Sequence, residues 1–328
     1  MRQYVGRVLL LATIAAAPSV GAQGKPARPT PLVPPSTVAG FGDADVVQPV
    51  PPSFDHSAFD ALLHRHVRNG LIDYPAFRNN PEFARYLASL KTAKLDGLEE
   101  AERIAFWLNV YNAFTIQLVA SHGETESIRN IDKTFGVLKL KGPWSRLFVE
   151  AAGRTLTLDD VQHRILRHDF SEPRVHFALS FATLGGPPQR SEAYTAAKLD
   201  EQLEDQARTF LRDTRKNRVD TANYTVHLSP VIARYRTDFG ESTTSLGRFL
   251  ADYFPDGGAE RRFLLPAKRA PAPAVTVTAP VTGDSVARLQ DSIRVAARNR
   301  RALEVYFRVK ETPYDWGLNI QRRAVGKK

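Results

Sequence analysis

The 328-residue sequence predicts an α+β fold: a helix-rich domain in which one long buried helix packs on a small, mainly antiparallel sheet. Three stretches carry that expectation. From Ile104 to Ala120 apolar side chains fall on every face of a helical projection, so the helix must be enclosed by other elements. Residues 174–182, RVHFALSFA, alternate with the period of a strand. Residues 148–156 have the pattern of a hairpin, with its turn at Gly153-Arg154.

The long helix is expected over 96–123. Asp96 and Glu99 have capping-box spacing, and Gly123 stands where helices commonly end in a left-handed turn. Asn109 and Asn112 interrupt its apolar run one turn apart, so both amides project towards one neighbour and need hydrogen-bond partners there. They either brace a loop or strand or take part in chemistry. Trp107 and Tyr111 on the same helix are candidate binding residues.

Around this element the chain divides as follows. Residues 1–22 have the form of a secretory signal: Arg2 and Arg7, an apolar run from Val8 to Ala17, and small residues at Val20-Gly21-Ala22. Export to the periplasm or the outside is therefore expected, with no later run long and apolar enough to span a bilayer. Residues 23–53 contain eight prolines and read as a linker. A core domain is expected over 54–255. It begins with a helix whose inner face is Phe59, Leu62, Leu63, His66 and Val67, ending at Asn69-Gly70. A short helix near Phe83 to Leu90 has Pro81 in its first turn. After the long helix comes an irregular stretch, 124–146, and after the hairpin a helix opened by Thr157 and Asp160. Further helices are expected over 196–211, from Pro230 through Gly240, and over 246–254, with a strand at 223–228. Residues 256–283 read as a second linker, 284–319 as a basic helix plus a closing segment YDWGLN, and 320–328 as a basic tail.

On the 174–182 segment, Val175, Phe177, Leu179 and Phe181 take one face and His176, Ala178, Ser180 and Ala182 the other. The second face is small except for His176, which leaves room for the amide side of the long helix or for a ligand. His176 is then either bonded quietly within the interface or functional, and Ser180 is a candidate contact. Gly185-Gly186, before Pro187-Pro188, allow close backbone approach and could turn amides towards a ligand.

Composition narrows the chemistry. There is no cysteine, so thiolate nucleophiles, disulfides and cysteine metal sites are excluded. The formal charge is +10, and residues 256–328 hold 15 basic against 7 acidic residues while 23–255 balance. Contacts between 284–310 and an anionic surface follow as an expectation. Nucleic acid is not the expected partner, because the basic face lacks interleaved aromatics. No cofactor is expected; His163, His168, Asp159, Asp160 and Asp169 match no strong metal-ligand spacing.

Seven segments in order carry a resemblance: 55–77, FWLNVYNAFTIQLV at 106–119, SIRNI at 127–131, LTLDDVQHRILR at 156–167, PRVHFALSFATLGGPP at 173–188, LDEQLEDQARTFL at 199–211 and YDWGLN at 314–319. Together they resemble the domain of unknown function 547 family. That family is in turn similar to papain and transglutaminase-like hydrolases, which implies a helix packed on a sheet that carries the histidine. Family members commonly have cysteines where this chain has Phe181 and Gly186, and an acidic residue where it has Gln162. With both cysteines gone, the expected function is that of an exported, non-catalytic binding or scaffold protein on a degenerate papain-like framework, its partner a peptide or envelope polymer. The alternative, which the hydrolase resemblance implies, is an amide-bond hydrolase or transferase with His176 as the candidate catalytic general base and Asn109 and Asn112 as its orienting or oxyanion groups.

Overall fold

The computed structural model describes residues 52–131, 142–265 and 307–321. The signal-like segment, the proline-rich linker up to residue 51, most of the second linker and the basic stretch 284–306 lie outside the described residues.

The elements follow in chain order. Helix α1 (Ser57–His66) runs into the two-stranded β1 (Val67–Arg68) and β2 (Leu71–Ile72), which turn at Asn69-Gly70. Next come α2 (Tyr74–Phe77), α3 (Pro81–Lys91) and the long α4 (Glu100–His122). A hairpin of β3 (Val149–Ala151) and β4 (Arg154–Leu156) leads to a π-helix, Asp160–Leu166, and the short α5 (Val175–Ala178). Then follow α6 (Leu199–Leu211), β5 (Arg218–Asp220), β6 (Thr225–Leu228), α7 (Pro230–Arg234), α8 (Arg236–Phe239), α9 (Thr243–Ala251), α10 (Ala259–Leu264) and β7 (Arg308–Glu311).

Helix α4 is where the sequence places it, and nearly every side chain from Ile104 to Ala120 is buried. Among the described residues it is the one helix long and apolar enough to cross a membrane, but its apolar surface is spent on the protein's own core. Its end is the expected one: Gly123 adopts φ 63°, ψ 28°, the left-handed cap. Its start differs. Gly97, at φ 78°, turns the chain between Leu95 and Leu98, so Asp96 lies outside the helix and Glu99 takes the cap position without a side-chain bond. Glu100 and Glu102 supply the first-turn negative charge instead.

Two cores share the molecule. The first wraps α4 with α1, α3, the two hairpins and the π-helix. The second gathers Ala207, Phe210 and Leu211 of α6 with β6, α7 to α10 and Phe307. The segment 174–182 lies between them, and this overturns the expected strand. Val175, Ala178, Leu179 and Ala182 are buried in the first core, Phe177 in the second, and Phe181 packs against both. A strand needs ladder partners along its edges; here α5 closes a helical turn through His176 N–H to Pro173 O and Phe177 N–H to Arg174 O. The alternation was real, but both of its faces are interior.

The sheet is likewise not one small sheet under α4 but three separate ones, β1-β2, β3-β4 and β5-β6-β7. The papain-like arrangement, a helix against a histidine-bearing sheet, is therefore not formed: His176 sits on a helical turn. The hairpin expected at 148–156 is present, turning at Ala152-Gly153, one residue earlier than the sequence suggests. The helix expected from Pro230 breaks at Tyr235 (φ −107°, ψ 29°) into α7 and α8, and α10 forms inside the stretch read as linker, anchored by buried Leu264.

The closing segment joins the two cores. β7 pairs in parallel with β6, so Val226 faces Val309. Further on, Leu184 N–H donates to Gly317 O at 2.7 Å, Leu318 N–H to Glu126 O at 2.8 Å, and Ile72 N–H to Asn319 O at 2.9 Å. Gly185 N–H donates to Asp315 O at 2.9 Å. A Cβ built on Gly185 would lie 2.6 Å from Asp315 N, and one on Gly186 2.8 Å from Thr183 Oγ1. The paired glycines are thus needed for the approach of this segment, and the Gly185 amide is spent on backbone.

Candidate functional site

The amide pair on α4 acts on backbone. Asn109 Nδ2 donates to Tyr194 O at 2.8 Å and its Oδ1 accepts Tyr194 N–H at 2.9 Å. Asn112 Nδ2 donates to Ala178 O at 3.0 Å, and its Oδ1 accepts Ser180 N–H at 2.9 Å. Each amide mimics a short piece of sheet ladder for a segment that has no strand beside it. Neither has a hydrogen bond to His176, which corrects the expectation that they orient the imidazole or hold an oxyanion.

His176 is 1% exposed. Its Nε2 lies 2.8 Å from Asp238 Oδ2, and its ring stacks on Tyr235 at 4.5 Å and 13°. Asp238 also accepts from Arg167 Nε at 2.5 Å and Nη2 at 2.9 Å. Burial pushes the Asp238 carboxyl up, but the Arg167 and His176 bonds outweigh it and bring it down to about 2. Burial depresses the His176 pKa, against the pull of Asp238, so the ring is neutral at neutral pH. A neutral ring that gives its Nε2 proton to Asp238 keeps its lone pair on Nδ1, and that atom is buried without a partner among the described residues. A general base must reach the proton it takes. This one is buried and packed against Tyr235 and Phe239.

The other side chains read as candidates are buried as well. Ser180 is buried, with Oγ 3.5 Å from Asn319 Nδ2. Trp107 is buried with its ring edge-on to Phe106. Tyr111 is fully buried, its ring edge-on to Phe181 at 6.1 Å and its hydroxyl without a partner. Among the described residues no three histidines, aspartates or glutamates are grouped to hold a metal ion.

What the structure builds instead is a cleft of about 280 Å³ on the far side of Tyr235 from His176's core. Its walls come from four places in the chain: Trp144 from the turn before β3, Asp159, Gln162 and His163 from the π-helix, Arg234 and Tyr235 from the break between α7 and α8, and Glu311, Tyr314 and Trp316 from the closing segment. Phe181 forms part of the floor, with Tyr111 behind it. The real capping box of Thr157 and Asp160 fixes the π-helix: Thr157 Oγ1 accepts Asp160 N–H at 2.9 Å while Asp160 Oδ2 accepts Thr157 N–H at 3.0 Å. The wider π turn aims Asp159, Gln162 and His163 at one cavity.

Its aromatic rim is continuous: Tyr314 and Trp316 lie 4.6 Å apart, and Trp144 is 6.4 Å from Trp316. The Tyr314 hydroxyl is held by Thr183 Oγ1 at 2.6 Å; burial pushes its pKa up to about 12 despite that bond. Burial also lowers the His163 pKa, with nearby Asp159 opposing, so the cleft's own imidazole is neutral. No serine, threonine or cysteine lines the cleft. Two donors in its wall, Gln162 Nε2 and Trp144 Nε1, are buried without a partner among the described residues.

Sequence reading named Gln162, His163 and the YDWGLN segment, and placed Trp144 only within the irregular stretch 124–146, without assembling them. The signal available was tryptophan in Gly/Pro-rich or closing segments outside any periodic pattern; their convergence across more than 150 residues of chain was not visible. The positions where the resemblance leads one to expect cysteines do meet, since a Cβ on Gly186 would lie 3.2 Å from Phe181 Cδ2. The aromatic ring fills that space.

Residues 95–211 match the model of a family described as "Protein of unknown function, DUF547". No curated protein and no solved structure matches the chain.

Proposed function

We propose from the cleft itself that this is a non-catalytic binding protein that holds part of a peptide or envelope polymer; the family whose model residues 95–211 match carries a description that assigns no activity. One observation carries the reading: a cavity walled by aromatic rings and by polar groups, two of them unpartnered among the described residues, with no serine, threonine or cysteine in its described lining. The Glu311 carboxylate has no hydrogen bond or ion pair to other described residues, and His163 has only ring contact with Tyr235 at 5.6 Å. Such groups orient a ligand, and the rings supply its contact area. The buried His176 removes support from the hydrolase alternative. Export under direction of residues 1–22, and contact of 284–310 with anionic envelope polymers or lipids, complete the proposal from the sequence alone.

The test uses the protein's own fluorescence. Of its three tryptophans, Trp144 and Trp316 line the cleft and Trp107 is buried elsewhere. Titration with soluble envelope-polymer fragments is expected to shift the emission of the native chain, and to leave a Trp144→Phe/Trp316→Phe variant silent. Fragments that bind a Trp144→Ala/Trp316→Ala variant as tightly as the native chain would place the site elsewhere.

A further inference from the structure

We infer that the cleft takes one neutral sugar ring of a polysaccharide. The inference rests on the binding reading above and names its ligand class.

The first argument is size. The cavity of about 280 Å³ equals roughly nine waters at about 30 Å³ each, room for one hexose-sized ring and its substituents but not for a folded segment. The second is polarity. Buried donors are almost always paired, and a lone one costs stability unless a ligand completes it. Gln162, 4% exposed, and Trp144 present such donors on the same cavity that holds the Asp159 and Glu311 carboxylates. A hydroxyl accepts from the former and donates to the latter through a single atom, where an amide needs two separated ones, so a ring bearing several hydroxyls suits a cavity this small. The third is charge. Two carboxylates against one guanidinium, Arg234, make a poor seat for an anion, and the neutral His163 adds no positive charge. The fourth is the rim. Trp316 keeps 37% of its surface exposed at the mouth, beside Tyr314, as an apolar platform for the C–H face of a pyranose.

The experiment screens the full chain against an array of neutral and charged oligosaccharides together with alanine-based tetrapeptides, and measures affinity and Tm for Gln162→Leu and Trp144→Phe. The expected result has three parts. A neutral oligosaccharide binds with affinity changed less than threefold by 0.5 M salt; Gln162→Leu weakens it at least tenfold; and the same substitution leaves Tm level or higher, because it deletes an unpaired buried donor. Trp144→Phe, which keeps the ring and removes the N–H, repeats the loss and covers the case in which Gln162→Leu fails to fold. Binding of only charged oligosaccharides, or of peptides and no saccharide, with the same residue dependence overturns the sugar assignment and leaves the binding reading standing. Neutral-sugar binding untouched by either substitution overturns the assignment as well. Absence of any binding to the array overturns both readings.

Discussion

Asn112→Ala tests whether the α4 amides are structural braces. Asn112 serves Ala178 O and Ser180 N–H, both in buried surroundings. Truncation leaves Ser180 N–H without a partner and Ala178 O with only the Tyr194 hydroxyl at 3.5 Å, too long to offset much, at about 1–3 kcal/mol each, or about 2–6 kcal/mol together. Against a total stability of about 5–15 kcal/mol that is a large fraction. With a urea slope of about 2–3 kcal/mol/M, the unfolding midpoint falls by roughly 0.7–3 M. Asn112→Asp retains an acceptor for Ser180 N–H but sets a carboxylate oxygen against Ala178 O, so it rescues little. Asn109→Ala releases both backbone groups of Tyr194 and should cost a similar amount. The two braces are linked, since Tyr194 Oη lies 3.5 Å from Ala178 O, and the double variant is expected to depart from additivity. Urea melts followed by circular dichroism supply the measurement. A loss below about 0.5 kcal/mol for Asn112→Ala would refute the brace and show that the 178–180 backbone is held by something else.

Two further outcomes follow from the geometry. Burial depresses the His56 pKa to about 4, below its usual 6.5, so the folded state excludes a proton that the unfolded chain binds. The stability this contributes is complete above about pH 6.5 and is lost as pH falls towards 4, up to about 3 kcal/mol; His56→Gln, which preserves a partner for the Tyr86 hydroxyl, should flatten that stretch of the stability-pH curve. Gly185→Ala places a Cβ 2.6 Å from Asp315 N and is expected to loosen the closing segment. Limited proteolysis should then cut near 314–319 faster than in the native chain, with cleft binding weakened in parallel; unchanged cleavage would show that the backbone there yields freely.

The long helix, its glycine cap, the hairpin and the capping box of the π-helix were legible because each is fixed by local chemistry: side-chain periodicity, a left-handed glycine or a three-residue spacing. The amides of Asn109 and Asn112 were legible as a pair needing partners, though their partners proved to be peptide groups. What sequence could not supply was the neighbour of each face. The alternation of 174–182 reads as a strand because period two normally separates core from solvent; here every residue from Val175 to Ser180 is buried, and Phe177 and Leu179, which the pattern puts on one face, lie in different cores. The cleft was hidden for a related reason. Gln162 and Trp316 have no local signature in common, and only the return of residues 307–321 brings them to one cavity.

That return sets an order of events during synthesis. Everything the last stretch touches, from Ile72 and Glu126 to Leu184 and Leu228, leaves the ribosome before Phe307 does. A nascent chain can therefore gather most of both cores while still lacking Phe307, Leu318 and the Tyr314 and Trp316 wall, and the proposed cleft is complete only once residues 307–321 thread home.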